Sequence, residues 1–141
     1  MSYGINAYQQ VGRSSANYAD PWQLTEMLFS GALERIAQAK GAMERGDTAA
    51  KGERIGKAIG ILDGLRGGLD HQAGGDLAAN LDALYDYMQR RLVSANARND
   101  AAALDEVIAL LREIKEGWDA IPAEARNAHQ QRAPRADGTA G

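Results

Sequence analysis

The chain contains no cysteine, which rules out a disulfide framework and thiolate metal sites and is compatible with a reducing compartment. Histidine is almost as scarce. His71 and His129 are the two present, and neither follows a Glu by three residues, so the Glu-x-x-His pairs of a di-iron bundle are missing. Basic residues do not predominate: 16 Lys and Arg stand against 19 Asp and Glu, a net charge of −3. That balance argues against nucleic acid as a partner, because phosphate binding needs a clustered Lys/Arg surface. No apolar run approaches the roughly 18–20 residues of a membrane span. Met1 to Val11 has neither the basic start nor the apolar run of a secretory leader. Aromatic residues make up 6% of the chain and β-branched residues are few, which disfavours sheet.

What is present suits helices. Ala and Leu abound, 45% of residues are hydrophobic and 25% charged, and 141 residues fit one domain with a modest core. The chemical inventory is thin. Gly74-Gly75 lacks the Gly-Lys-Ser/Thr of a phosphate loop, Ser14-Ser15 read as turn or cap residues, and the acidic residues are scattered along helix surfaces. No catalytic residue, metal or cofactor is expected.

The pattern predicts an all-α fold, an antiparallel up-down four-helix bundle over residues 20–121. Residues 1–19 form a short N-terminal capping segment, and 122–141 a short helix and disordered tail. Helix one begins at Asp20-Pro21, a cap followed by a residue suited to the first helical position, with Gln23 as capping-box partner, and runs to about Arg45. Gly46-Asp47 stops it and caps helix two, Thr48 to Leu69. Asp70 to Gly75 reads as a turn. Helix three starts near Asp76 with the stripe Leu77, Leu81, Leu84, Met88 and Leu92. Asn99 or Asp100 caps helix four, which Pro122 ends or follows with a short extra helix.

Helix one carries more apolar surface than one core face requires. On a wheel of about 100° per residue its large apolar residues span roughly 240°, against roughly 160° for helix four. Trp22, Phe29 and Leu33 form a second strip beyond the core stripe. The strip needs a cover: the N-terminal segment, another subunit or a partner; otherwise this helix is simply more buried than its neighbours. Within the N-terminal segment Ile5, Tyr8 and Val11 recur at three-residue spacing, too short for a stable free helix but apolar enough to dock on that strip. Tyr85 and Tyr87 flank Asp86 at the edges of helix three's stripe, suited either to bundle-edge packing or to partner contact. Gly52, Gly56, Gly60, Gly64 and Gly68 recur every four residues in helix two. They admit a close partner helix, keep the helix pliable, or are tolerated surface glycines.

Several short runs, in order, resemble the flagellin export chaperone family, FliS. They are Gly4-Ile5-Asn6-Ala7-Tyr8 with Val11; Pro21, Leu24, Met27-Leu28-Phe29 and Gly31-Ala32; Gly46-Asp47; and Lys51-Gly52-Glu53. Leu69-Asp70, Gly74-Gly75, Asn80-Leu81, Leu84-Tyr85-Asp86-Tyr87-Met88, Arg91-Leu92, Ala95-Asn96, Asn99-Asp100 and Trp118 complete them. The resemblance covers about residues 4 to 121. It departs from the family pattern at Asp20, where Ser is common, and at Ser30, where Asp is common. Asp caps as well as Ser, so only a polar role at position 30 is affected. The resemblance implies a cytoplasmic chaperone that binds the disordered C-terminal segment of flagellin, prevents premature polymerisation and delivers it to the flagellar export gate. It also implies links to an anti-sigma factor. By the same resemblance Ile5 and Tyr8 bind flagellin, with Val11, Trp22, Leu24, Met27, Phe29, Leu33, Tyr85 and Tyr87 lining or bordering the groove. The competing reading is a regulatory or structural bundle that uses the same strip to form a homodimer. No nucleic acid and no membrane insertion are expected.

Overall fold

A computed structural model describes residues 20–121. They form four helices: α1 (Pro21–Arg45), α2 (Thr48–Gly67), α3 (His71–Arg98) and α4 (Ala101–Asp119). The expected N-terminal segment and the extra C-terminal helix and tail lie outside the described residues.

Each start is set by an Asp. Asp20, Asp47 and Asp100 accept from the backbone N–H three residues on, at 2.7, 3.1 and 3.1 Å. Asp70 accepts from Gln72 and Ala73. These bonds satisfy donors that have no partner inside the helix. α1 ends at Gly46, whose φ of 73° is open to glycine without strain. α3 ends at Asn99, φ 51°, and the next residue, Asp100, caps α4.

α3 begins five residues earlier than the sequence suggests. Asp70 caps a single helical turn, and Gly75, at φ 51° and ψ −125°, breaks the helix before it resumes. The glycine pair therefore marks a kink inside α3 rather than a loop before it. α2 ends at Gly67, two residues short of the expected Leu69.

Short connections force consecutive helices to run antiparallel. Each helix packs on two neighbours in a ring, α1–α2–α3–α4 and back to α1, with α1 and α2 the most intimate pair. Phe29, Ile36, Ile55, Leu62, Met88, Leu92, Leu104, Val107 and Leu111 fill the centre. Each contributes about 1.5–3 kcal/mol relative to exposure.

Three of the helix-two glycines sit at helix contacts. Gly60 is buried. A Cβ on Gly64 would meet the Leu28 methyls at 3.5 Å, and one on Gly52 would lie 3.9 Å from Asn96 Nδ2. Gly56 faces open space. At these three positions the stripe serves close packing inside the bundle, and Gly56 is a surface glycine.

Polar groups lock α2 to α3. The Arg66 guanidinium grips both Asp82 oxygens, at 2.8 and 3.2 Å, and donates to Gln89 Oε1 at 2.9 Å. Gln89 Nε2 donates back to Asp63 Oδ1 and the Ile59 carbonyl. The fork geometry makes this a directional clamp. Its bond to Arg66 holds the Asp82 carboxyl below the usual carboxylate range.

Candidate functional site

The second apolar strip of α1 has its cover within the bundle. Trp22 is 6% and Phe29 1% exposed. Trp118 of α4 stacks on Trp22 with centroids 3.7 Å apart and lies 6.2 Å from the Phe29 ring. Leu33 packs on the same core and is half-buried. The strip expected to lie beyond the core is therefore the face on which α4 closes the ring. Tyr85, expected at a stripe edge, lies inside the core at 2% exposure, and burial pushes its hydroxyl pKa up. Trp22, Phe29 and Tyr85 are thus buried in the described bundle rather than open on its surface.

Of the remaining candidates, Leu24 is half-buried against the core and Met27 is 39% exposed. They mark the α1 edge away from Trp118. Tyr87 is half-buried, and its hydroxyl donates to Glu106 Oε2 at 2.6 Å. Arg91 Nε donates to the other oxygen of Glu106 at 2.8 Å. Tyr87 therefore ties α3 to α4. Ile5, Tyr8 and Val11 lie outside the described residues.

The larger open apolar surface is on α3. Leu77 is 66% and Leu84 37% exposed, although the stripe containing them reads as core. With Leu81 between them they occupy one helical face at spacings of four and three. Leu81, Leu110 and Ile114 pack against the core yet stay partly open. On the wheel, Leu110 and Ile114 lie on the flank of α4 turned to α3.

Length explains the exposure of Leu77. α3 has 28 residues and α4 has 19. Counted back from the Asn99-Asp100 turn, α4 ends level with about residue 80 of α3. Leu77 is left beyond its end. Sequence periodicity shows which face is apolar, but not whether the neighbouring helix reaches along it.

Two open depressions flank α1. One is lined by Glu34, Ala37, Gly41, Arg45, Ala50 and Arg54, the other by Lys40, Glu44, Asp105, Ile108 and Arg112. Neither offers a nucleophile beside a base. Among the described residues no cluster of His, Asp or Glu has the makings of a metal site, and no helix is long and apolar enough to cross a membrane. The arrangement is suited to burying apolar side chains of a partner.

Residues 4–125 match the family model described as Flagellar protein FliS. A Pseudomonas aeruginosa protein named flagellar secretion chaperone FliSB is 56% identical over 118 residues, covering 83% of this chain and 94% of that protein. The flagellar secretion chaperone FliS of Salmonella typhimurium is 52% identical over 124 residues, covering 86% and 92%. That of Vibrio cholerae is 45% identical over 128 residues, covering 90% and 94%. The match runs through the capped helix starts, the Leu84–Met88 run and the α3–α4 turn described above, and the chain belongs to the FliS family of flagellar proteins.

Proposed function

We propose that this chain is a cytoplasmic export chaperone that binds the disordered C-terminal segment of flagellin, prevents its premature polymerisation and delivers it to the flagellar export gate, without catalysing a reaction. The observation carrying this reading is the partly open apolar stripe Leu77–Leu81–Leu84 on α3, in a family whose relatives are named flagellar secretion chaperones. Apolar residues at helical spacing on a charged surface suit an amphipathic segment that orders on contact.

The binding surface has two parts. Leu24 and Met27, on the α1 edge away from Trp118, belong to one, and the family resemblance adds Ile5, Tyr8 and Val11 to the binding residues. Leu77, Leu81 and Leu84 form the other, bounded by Tyr87. Trp22, Phe29 and Tyr85 act from beneath by setting the shape of the bundle. A disordered segment gives up entropy on ordering, so a long contact over both parts favours useful affinity.

Size-exclusion chromatography with light scattering, with and without a flagellin C-terminal peptide, tests the reading. A 1:1 complex is the expected outcome. A homodimer indifferent to the peptide would overturn it and leave a bundle that works by self-association.

A further inference from the structure

Among the described residues, Lys51 on α2 is the one charged side chain that is nearly fully buried, at 4% exposure. Its ammonium donates to the Asn96 carbonyl at 2.9 Å and to Asn99 Oδ1 at 2.5 Å. Both acceptors belong to the end of α3, where the helix dipole presents partial negative charge.

Those acceptors exist in this form because the chain reverses. Asn99, with φ 51° and ψ 49°, is the sole non-glycine residue with positive φ among the described residues. The Asp100 N–H reaches the Ala95 carbonyl at 3.1 Å, five residues back. In a continuing helix it would instead reach Asn96. The Asn96 carbonyl is thereby left for Lys51, which also holds the Asn99 side chain in the left-handed turn. Asp100 then caps α4 through the Ala103 N–H.

If Asn99 took ordinary helical angles, α3 beyond the Gly75 kink and α4 would merge into one helix over residues 76–119, about 65 Å long. The buried face of α4, formed by Ala103, Leu104, Val107 and Leu111, would leave its own bundle. The cleft it vacates between α1 and α3 is the one α4 fills in its own bundle. The same helix from a second copy fits it, and reciprocal exchange would close both bundles about a two-fold axis.

We propose that Lys51 is the pin that commits α4 to its own bundle, and that the cleft between α1 and α3 accepts α4 of a second copy of this chain when the pin is lost. Lys51→Met keeps the buried stem and removes the donor. Full-length wild type and variant are refolded from denaturant over a range of concentrations and compared by light scattering and small-angle scattering. The expected result is native helicity with a dimer association constant raised about a hundredfold or more, because each of the two copies loses a pin worth about tenfold or more. The dimer should be elongated.

Two changes in the Lys51→Met background should restore the monomer. Asn99→Gly frees the left-handed turn from steric penalty. Two glycines inserted between Asn99 and Asp100 let the chain reverse without that conformation. A folded Lys51→Met protein that stays monomeric would overturn the proposal. So would a dimer that neither change affects. Should Lys51→Met not fold, Asn99→Ala carries the test, since alanine resists the left-handed region. A monomeric Asn99→Ala protein overturns it equally.

Discussion

Trp22 at the start of α1 stacks on Trp118 at the end of α4, with ring centroids 3.7 Å apart and planes within 16° of parallel. These residues come from opposite ends of the described chain and join the adjacent pair of helices that no connection links. Phe29 meets the same Trp118 ring at 52°. Closure of the bundle therefore rests on an aromatic contact, while the Lys40–Asp105 ion pair at 2.8 Å, with partly exposed partners, adds little.

Trp118→Ala should lower stability by about 2–4 kcal/mol, below a fully buried Trp because Trp118 keeps some exposure. Trp118→Phe should lose less, since a ring still covers Phe29. Urea denaturation followed by circular dichroism measures both. An unchanged midpoint for the alanine variant would show that α4 is held elsewhere.

Leu77→Ser with Leu84→Ser should change stability by no more than about 1 kcal/mol, as both side chains are already open to solvent. Affinity for a flagellin C-terminal peptide should fall about tenfold or more by calorimetry. Val93→Ser is the control. Val93 is 59% exposed and, on the wheel, lies on the α2 flank of α3, away from the Leu77–Leu84 stripe. Equal weakening by Val93→Ser would remove the stripe as the site.

Ile5→Ala with Tyr8→Ala should weaken peptide binding while far-UV circular dichroism and the melting temperature of the four-helix core stay near wild type. A loss of helicity would assign these residues to the fold instead.

Local signals in the sequence were reliable where chemistry is local. Asp20-Pro21, Gly46-Asp47 and Asn99-Asp100 each identify a boundary within a few residues, because a cap needs only its neighbours. Gly74-Gly75 misled for the opposite reason. A glycine pair permits a turn but does not require one, and Asp70 had already started the helix. The width of α1's apolar arc was legible, but its cover was not, because Trp118 is supplied by a distant helix. Tyr85 shows the same limit. Its place at the margin of the helix-three stripe suggested an edge, while the fold puts it in the core cluster at 2% exposure. The open stripe on α3 depends on the relative reach of two helices, which no single stripe encodes.

Gly56→Ala should raise stability by about 0.5–1 kcal/mol, because a Cβ there meets nothing within 4 Å and alanine favours the helix. Gly75→Ala should lower it by about 1–2 kcal/mol, because φ is 51° whatever the space. Thermal melts of the two variants should therefore move in opposite directions. A shift in the same direction for both would mean that the α3 kink relaxes freely.

The Tyr87–Glu106–Arg91 clamp should give the α3–α4 contact a defined pH window. The Tyr87 hydroxyl, then Arg91, hold the Glu106 carboxyl below its ordinary 4.5. A carboxylate whose folded pKa is depressed stabilises the fold above its unfolded value, and that contribution is lost as pH falls through the folded one. Glu106 in turn raises the Tyr87 hydroxyl above its ordinary 10.0. A raised group contributes fully below its unfolded value and loses that contribution as pH rises through the folded one. The stability difference between wild type and Tyr87→Phe should thus be level between about pH 6 and 9 and shrink on the alkaline side. The difference between wild type and Glu106→Gln should shrink below about pH 4, and salt should reduce it because the groups are partly exposed. Denaturation midpoints measured across pH for the three proteins check this. A Glu106→Gln difference that persists unchanged in acid would show that the carboxylate charge contributes nothing to the clamp.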